Sequence, residues 1–308
     1  MIKAQFWGVR GSIPCPGPST VKYGGNTACI ELRFGEKEIP IIIDAGSGIR
    51  ELGFKLMKTE MPKGGIKTRI FLTHTHWDHI NGFPFFTPIF IPGTEIGIYG
   101  PVTYEEEGLD KIIGNQLSYR YFPVKQSELS ANIKYYPLKE CKLDLGDGIT
   151  VETCYLNHPI LCLGYKFTYE GKTFTTCYDT EPFRNLFPTD PNDPAYDELA
   201  AREGEAAAQE QNAKILRFIY ESDVLVFDSQ YTQEEYEKGK VGWGHSTFEW
   251  VANAAHKAKV KKLFFFHHEP LYNDEFLDSQ ELKFQQLLAG RSQTQCEIAK
   301  EKQEIIIQ

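Results

Sequence analysis

Residues 69–79 read Arg69-Ile70-Phe71-Leu72-Thr73-His74-Thr75-His76-Trp77-Asp78-His79. The first five make an apolar run of the kind that forms a buried strand, and the last six crowd three imidazoles and a carboxylate against its end. Such polar groups, buried together without a cation, would each need a separate partner. Nitrogen and oxygen donors in this mixture instead suit zinc, manganese or iron. Alternation along an extended segment points His74 and His76 the same way, while Asp78 and His79 follow a turn and can face a second ion. The stretch therefore predicts a two-metal centre whose missing donors come from the ends of other strands.

Three candidates stand at such ends. His158 follows the strand-like run Ile149 to Leu156, Asp179 ends the run Lys172 to Tyr178, and His267 ends Lys262 to Phe266. A lone histidine after a strand is more often a hydrogen-bonded surface residue, so it is the first cluster that turns these three into ligand candidates. His267 is preferred over its neighbour His268. Asp44, ending Ile41 to Asp44, reads equally well as a turn residue and as a carboxylate that orients a ligand imidazole. His256 lies in a helical pattern and reads as a solvent-facing residue.

Further strand-like runs occupy Ala28 to Phe34, Thr68 to Thr73, Glu95 to Tyr99, Gly164 to Tyr169 and Val224 to Phe227. Helical patterns cover Gly48 to Lys58, Tyr104 to Ile113, Asp193 to Ser222 and Ser246 to Ala258. The last opens with a Ser246-x-x-Glu249 capping box. The interleaving gives an α/β (α+β) class, and without an internal repeat or linker the expectation is one domain over residues 1–308. The segment from Gly82 to about Leu138, rich in aromatics and prolines, reads as packed loops or as an excursion shaping a pocket.

The chain has 308 residues, 41% of them hydrophobic, enough for a sizeable core. Its formal charge of -9 repels a long polyanion, so no long nucleic acid is expected as a partner. No apolar run is long enough to span a membrane and the start, MIKAQFWGVRGS, lacks a signal-peptide pattern, so a cytoplasmic protein is expected. The seven cysteines are scattered without a C-x-x-C pair, which argues for reduced, buried thiols.

The His-Thr-His-Trp-Asp-His run, with His158, Asp179 and His267 in that order, resembles the H-x-H-x-D-H signature of the metallo-β-lactamase superfamily. The likeness is greatest to its phosphodiesterase branch of cyclic-phosphate diesterases and transfer-RNA 3′-processing ribonucleases. Gly8-Val9-Arg10-Gly11-Ser12-Ile13-Pro14, Gly24-Gly25-Asn26-Thr27, Ile43-Asp44-Ala45-Gly46-Ser47-Gly48 and Gly244-His245-Ser246-Thr247 carry the likeness further.

The resemblance implies a four-layer αβ/βα sandwich. It assigns His74, His76 and His158 to one divalent ion and Asp78, His79 and His267 to another, with Asp179 and a hydroxide between them. Zinc is the first expectation, manganese or iron the others. It also makes His245 a proton donor to the leaving oxygen, with Asp228 able to orient it, and gives Asp78 a catalytic as well as a metal-binding part. Arg10, Asn26, Phe83, Phe85, Tyr119 and Tyr121 are weaker candidates for the pocket wall. The implied activity is hydrolysis of a small, cyclic phosphodiester, with a homodimer as the default assembly. Alternatives are a nuclease, a thioester or lactone hydrolase, or a diiron redox protein; branches of the last kind usually carry Glu where this chain has His76.

Overall fold

The protein is described from a computed structural model that covers residues 1–35, 39–101 and 108–308. One seven-stranded sheet contains β1 (Ile2–Gly8), β2 (Cys29–Phe34), β3 (Ile41–Ile43), β4 (Lys67–Phe71), β5 (Glu95–Pro101), β6 (Asn132–Leu138) and β14 (Glu304–Ile307), in the order β14-β1-β2-β3-β4-β5-β6. The other contains β7 (Lys142–Gly146), β8 (Ile149–Leu156), β9 (Cys162–Tyr169), β10 (Lys172–Cys177), β11 (Val224–Asp228), β12 (Lys262–Phe266) and β13 (Gln295–Ile298), in the order β13-β12-β11-β10-β9-β8-β7. In each sheet one half is antiparallel and the other parallel: β3 to β6 in the first, β10 to β13 in the second.

The helices are α1 (Ile49–Thr59), α2 (Trp77–Ile80), α3 (Leu109–Asn115), α4 (Glu198–Ile219), α5 (Gln233–Glu237), α6 (Phe248–Lys257) and α7 (Asp274–Leu288). Strand alternation assigns the layers. In β12, Phe264 and Phe266 join Phe6, Phe71 and Phe167 in a core between the sheets, whereas Leu263 and Phe265 face α6 and α7. In the first sheet, Ile70 and Leu72 turn outward onto Ile49, Leu52 and Leu56 of α1 and onto Leu109 and Ile113 of α3. The result is the helix, sheet, sheet, helix sandwich expected from the sequence. Strands covered on both faces explain the unbroken apolar runs.

Some local readings need correction. The helix expected from Asp193 begins at Glu198, because the side chains of Asp190, Asp193 and Asp197 accept from the amides of Asn192, Ala195 and Ala200, making turns before the cap. Thr247, not Ser246, caps α6, accepting from Trp250 N at 3.1 Å. Ser246 Oγ instead donates to Thr180 O. Of the helix expected over Tyr104 to Ile113, residues 104–107 lie outside the described residues. The stretch after Gly82 is no excursion: β5 and β6 extend the first sheet, and Phe83, Phe86 and Ile89 are buried against α1. No described helix is long and apolar enough to cross a membrane.

Candidate metal centre

Eight side chains converge where strands end. Asp44 follows β3, His74 is three residues past the end of β4, His158 follows β8, Asp179 follows β10 and His267 follows β12. His76, Asp78 and His79 are carried at and just inside the start of α2. Two donor sets result, each with its atoms within 4.8 Å of one another: His74, His76, His158 and Asp179 in one, and Asp78, His79, His267 and Asp179 in the other. Asp179 belongs to both. Its Oδ2 lies 3.6 Å from His74 Nε2 and 3.9 Å from His158 Nε2, and its Oδ1 lies 3.3 Å from both His79 Nε2 and His267 Nε2.

Hydrogen bonds behind the rings fix which nitrogens are bare. His79 Nδ1 donates to Asp44 Oδ2 at 2.7 Å, and His267 Nδ1 donates to Gln230 Oε1 at 3.0 Å. The two Nε2 atoms are therefore lone pairs, yet they face each other at 3.3 Å, with Asp78 Oδ2 3.1 Å from His267 Nε2. On the other side, Thr73 Oγ1 gives its proton to Asp44, so His74 Nδ1 donates to that oxygen at 3.0 Å and His74 Nε2 is left buried without a partner. His158 Nδ1 donates to Gly244 O at 3.0 Å, leaving its Nε2 bare at 3.0 Å from His76 Nδ1. Asp179 Oδ1 likewise has no hydrogen-bond partner. Electron-rich atoms gathered this closely out of water repel unless a cation sits among them. The residues present thus fit a pair of divalent ions.

The protonation states of His74 and His158 agree, whereas at His79 burial is outweighed by Asp179, Asp78 and Asp44, which hold that ring well above its usual range, so a cation there would displace a proton. Burial pushes His158 down to about 4 and His74 well below its usual range, so both are neutral ligands. Burial would raise Asp179, but His267, His79 and His74 outweigh it and hold the carboxyl well below the usual range. The backbone also bends to the site: Asp44 has φ 58°, Ser12 63° and His267 63°, conformations that non-glycine residues adopt only when their surroundings require it. At Gly244 (φ 83°) a Cβ would come within 2.3 Å of His158 Nδ1, so only glycine leaves room for that ring.

His245 is beside both sets, its ring 5.3 Å from that of His158 and stacked at 5.1 Å on that of His267. Its Nδ1 donates to Asp228 Oδ2 at 2.9 Å. Burial lowers the affinity of this ring for a proton, but Asp228, Asp179 and Asp78 more than reverse that and raise its pKa to about 9. The geometry offers a protonated imidazole aimed past two cation sites.

Other sequence candidates are elsewhere or differently employed. Arg10 is buried and donates to Gly24 O, Glu269 O and Tyr272 O, tying loops together rather than lining a pocket. Asn26 bonds Glu301 and Ser47. Phe83 is core, Phe85 packs on Phe122, and Tyr119 donates to Glu128, while Tyr121 is exposed. His268 is buried, donates Nε2 to Ala299 O and belongs to neither donor set; His256 is exposed. Three contributors escaped the sequence reading: Ser12, whose amide donates to Asp78 Oδ2 at 2.7 Å, Gln230 behind His267, and the Gly244 carbonyl behind His158. Ser12 and Gly244, both already inside quoted motifs, left a signal; Gln230 left none.

The layered fold is the metallo-β-lactamase fold, and two donor sets that could hold metal ions lie at its strand ends. The sequence is similar to ribonuclease Z, being 25% identical over 291 residues to that of Lactococcus lactis subsp. lactis, across 80% of this chain and 84% of the relative. The fold is similar to that of the metallo-β-lactamase fold protein YhfI of Bacillus subtilis, with a TM-score of 0.64 at 16% identity over 99% of this chain and 98% of that one. It is also similar to that of human tRNase Z, short form, with a TM-score of 0.61 at 20% identity over 99% of both chains. No protein-family model matches the chain.

Proposed function

We propose that the protein is a dinuclear phosphodiesterase, with His74, His76 and His158 holding one ion, Asp78, His79 and His267 the other, and Asp179 shared. The observation that carries this reading is the shared carboxylate, with one oxygen turned to each donor set and His245 beside both. Divalent ions bound there would supply Lewis acidity and a nucleophile at neutral pH. Zinc is the first expectation, since three imidazoles and a carboxylate make a familiar zinc donor set; manganese and iron remain compatible with the second, more oxygen-rich set.

The chain's own residues do the rest. Asp179, shared by the two sets, would hold both ions, Asp78 would hold one, Asp44 and Gln230 stop the rings of His79 and His267 from turning, and His245 holds a proton for the departing oxygen. Asp228 keeps that imidazole protonated and oriented.

Two substrates suit the centre. A small, cyclic diester accords with the net charge of -9. The 3′ end of an RNA is favoured by the ribonuclease Z relatives, and bond cleavage at either uses the same groups. The test common to both is turnover of bis(p-nitrophenyl) phosphate by zinc-, manganese- or iron-loaded protein. His245→Ala should keep its metal and lose about 10²- to 10⁴-fold in turnover of a diester with a poor, alkoxide leaving group. Normal turnover of such a diester by that variant would remove His245 from the mechanism.

A further inference from the structure

The metal ligands follow the C-terminal end of β4; a second group of charges surrounds its other end. Because Ile70 turns outward onto α1, Lys67, Arg69 and Phe71 share the inward face of the strand. Pairing with β5 and β6 extends each into a row: Lys67, Glu95 and Asn132; then Arg69, Gly97 and Lys134; then Phe71, Tyr99 and Tyr136. Phe71 belongs to the core between the sheets, but the rows below it border an open hollow of about 280 Å³, and no described residue of the second sheet lines it.

The rings of the last row stack across the strands, Phe71 on Tyr99 at 4.6 Å and Tyr99 on Tyr136 at 4.5 Å between centroids. They lean over the middle of the second row: a Cβ on Gly97 would meet Tyr99 Cε2 at 3.0 Å and Tyr136 Cε2 at 3.4 Å, with the Tyr99 hydroxyl 3.6 Å away. Gly97 thus admits a phenol between Arg69 and Lys134, whose backbones stand two strand spacings, about 10 Å, apart. Among the described residues neither cation has an ion pair or a side-chain hydrogen bond, and neither phenol hydroxyl has a hydrogen-bond partner. The one carboxylate of the three rows, Glu95, is taken by Lys67 at 3.2 Å.

We infer that this hollow binds the phosphoryl group of a small phosphomonoester, with Arg69 and Lys134 on either side of it, the Tyr99 hydroxyl donating to it, and the organic part against the exposed ring of Tyr136. The donor set selects the anion. A guanidinium fork occupies two oxygens, so a planar carboxylate is used up by Arg69 alone, whereas a phosphoryl dianion keeps a third oxygen for the ammonium and the phenol. The volume is just under the roughly 300–1,000 Å³ of sites for larger ligands, and a glycine inside a regular strand commonly marks close approach by a ligand. The assignment does not depend on the phosphodiesterase reading, since none of these side chains belongs to either donor set.

Calorimetric titration of the metal-loaded protein with phenylphosphonate, at a mildly alkaline pH where this probe is a dianion, tests the site without turnover. Arg69→Gln and Lys134→Gln should each weaken one binding event about tenfold or more and leave turnover of bis(p-nitrophenyl) phosphate within about twofold. Neither side chain is buried, so both variants should fold, which a thermal melt checks. Phenylphosphonate binding that is the same in wild type and both variants overturns the site, because binding at the metals alone would give that result. Benzoate that binds as tightly as phenylphosphonate and is equally sensitive to Arg69→Gln overturns the phosphoryl assignment. Inorganic phosphate separates the sources: it should bind more weakly than phenylphosphonate, with Tyr136→Ala erasing the difference. Equal affinity in wild type would overturn the phosphomonoester in favour of the free ion.

Discussion

In the donor set of Asp78, His79 and His267, every side chain is buried and each is held by a contact behind it: the Ser12 amide on Asp78, Asp44 on His79 and Gln230 on His267. In the set of His74, His76 and His158, two rings are backed, by Thr73 Oγ1 and Gly244 O, but His76 is partly exposed and its ring meets only its fellow donors. Trp77, directly after His76, is 69% exposed, so this side of the centre opens to solvent. One half of the centre is preorganised from the scaffold and the other meets water at His76. Preorganised ligands lose less freedom on binding a metal, so the first set should bind its ion more tightly and the second should exchange more readily.

The residue common to both sets provides the largest test. Asp179→Asn preserves volume and removes the charge that faces both ions. Metal content should fall from about two ions per chain to one or fewer, and turnover by about 10³-fold or more, because several kcal/mol of charge stabilisation depend on the pair. Elemental analysis beside a thermal melt checks this. A variant that still holds two ions would show that the sets are independent, and the comparison would have to be redrawn.

How visible this asymmetry was in the sequence follows from how each part is encoded. The donors themselves were legible because polar residues end apolar strands, and a centre built at strand ends collects them from distant places: His74 to His79 contiguously, then His158, Asp179 and His267 singly. The layer order was implied by the resemblance, and strands apolar on both faces accord with it. The supports were not legible. Ser12 acts through its backbone amide, and Gln230 is an ordinary amide two residues past Asp228 whose role exists only because β11 and β12 are neighbours. Arg10 misled for a related reason: a charge in a motif-like loop suggests a ligand, but its guanidinium is spent on carbonyls. The edge strands β13 and β14 and helix α7 escaped because their short or weakly periodic patterns acquire a meaning only when packed.

Asp44→Asn is the next test in size. Asp44 accepts from the Thr73 amide at 2.7 Å, from Thr73 Oγ1 at 2.8 Å and from His79 Nδ1 at 2.7 Å, so it braces His79 directly and, through Thr73, His74. Burial raises its pKa, and His79 and Thr73 offset that only in part, so the carboxylate depends on these partners for its charge. The substitution should weaken the tighter ion by up to about 100-fold and the other by much less. A two-step metal titration resolves the two affinities. Equal weakening of both steps would mean that Thr73 couples the sets strongly enough to erase the asymmetry.

Gln230→Ala should have the smallest effect. Gln230 holds His267 through one neutral hydrogen bond at 3.0 Å, and its own amide is anchored by Glu269 Oε2 at 2.8 Å. Losing it leaves His267 free to rotate only within the space that Gly11 and the His245 ring allow; a Cβ on Gly11 would already lie 2.4 Å from the imidazole, so little rotation is possible. The tighter ion should weaken by about tenfold, at the low end for such supports, and the looser one should be unchanged. If Gln230→Ala costs as much as Asp44→Asn, hydrogen-bonded orientation rather than charge is what distinguishes the two halves of the centre. If it costs nothing, steric confinement by Gly11 and His245 already orients the ring.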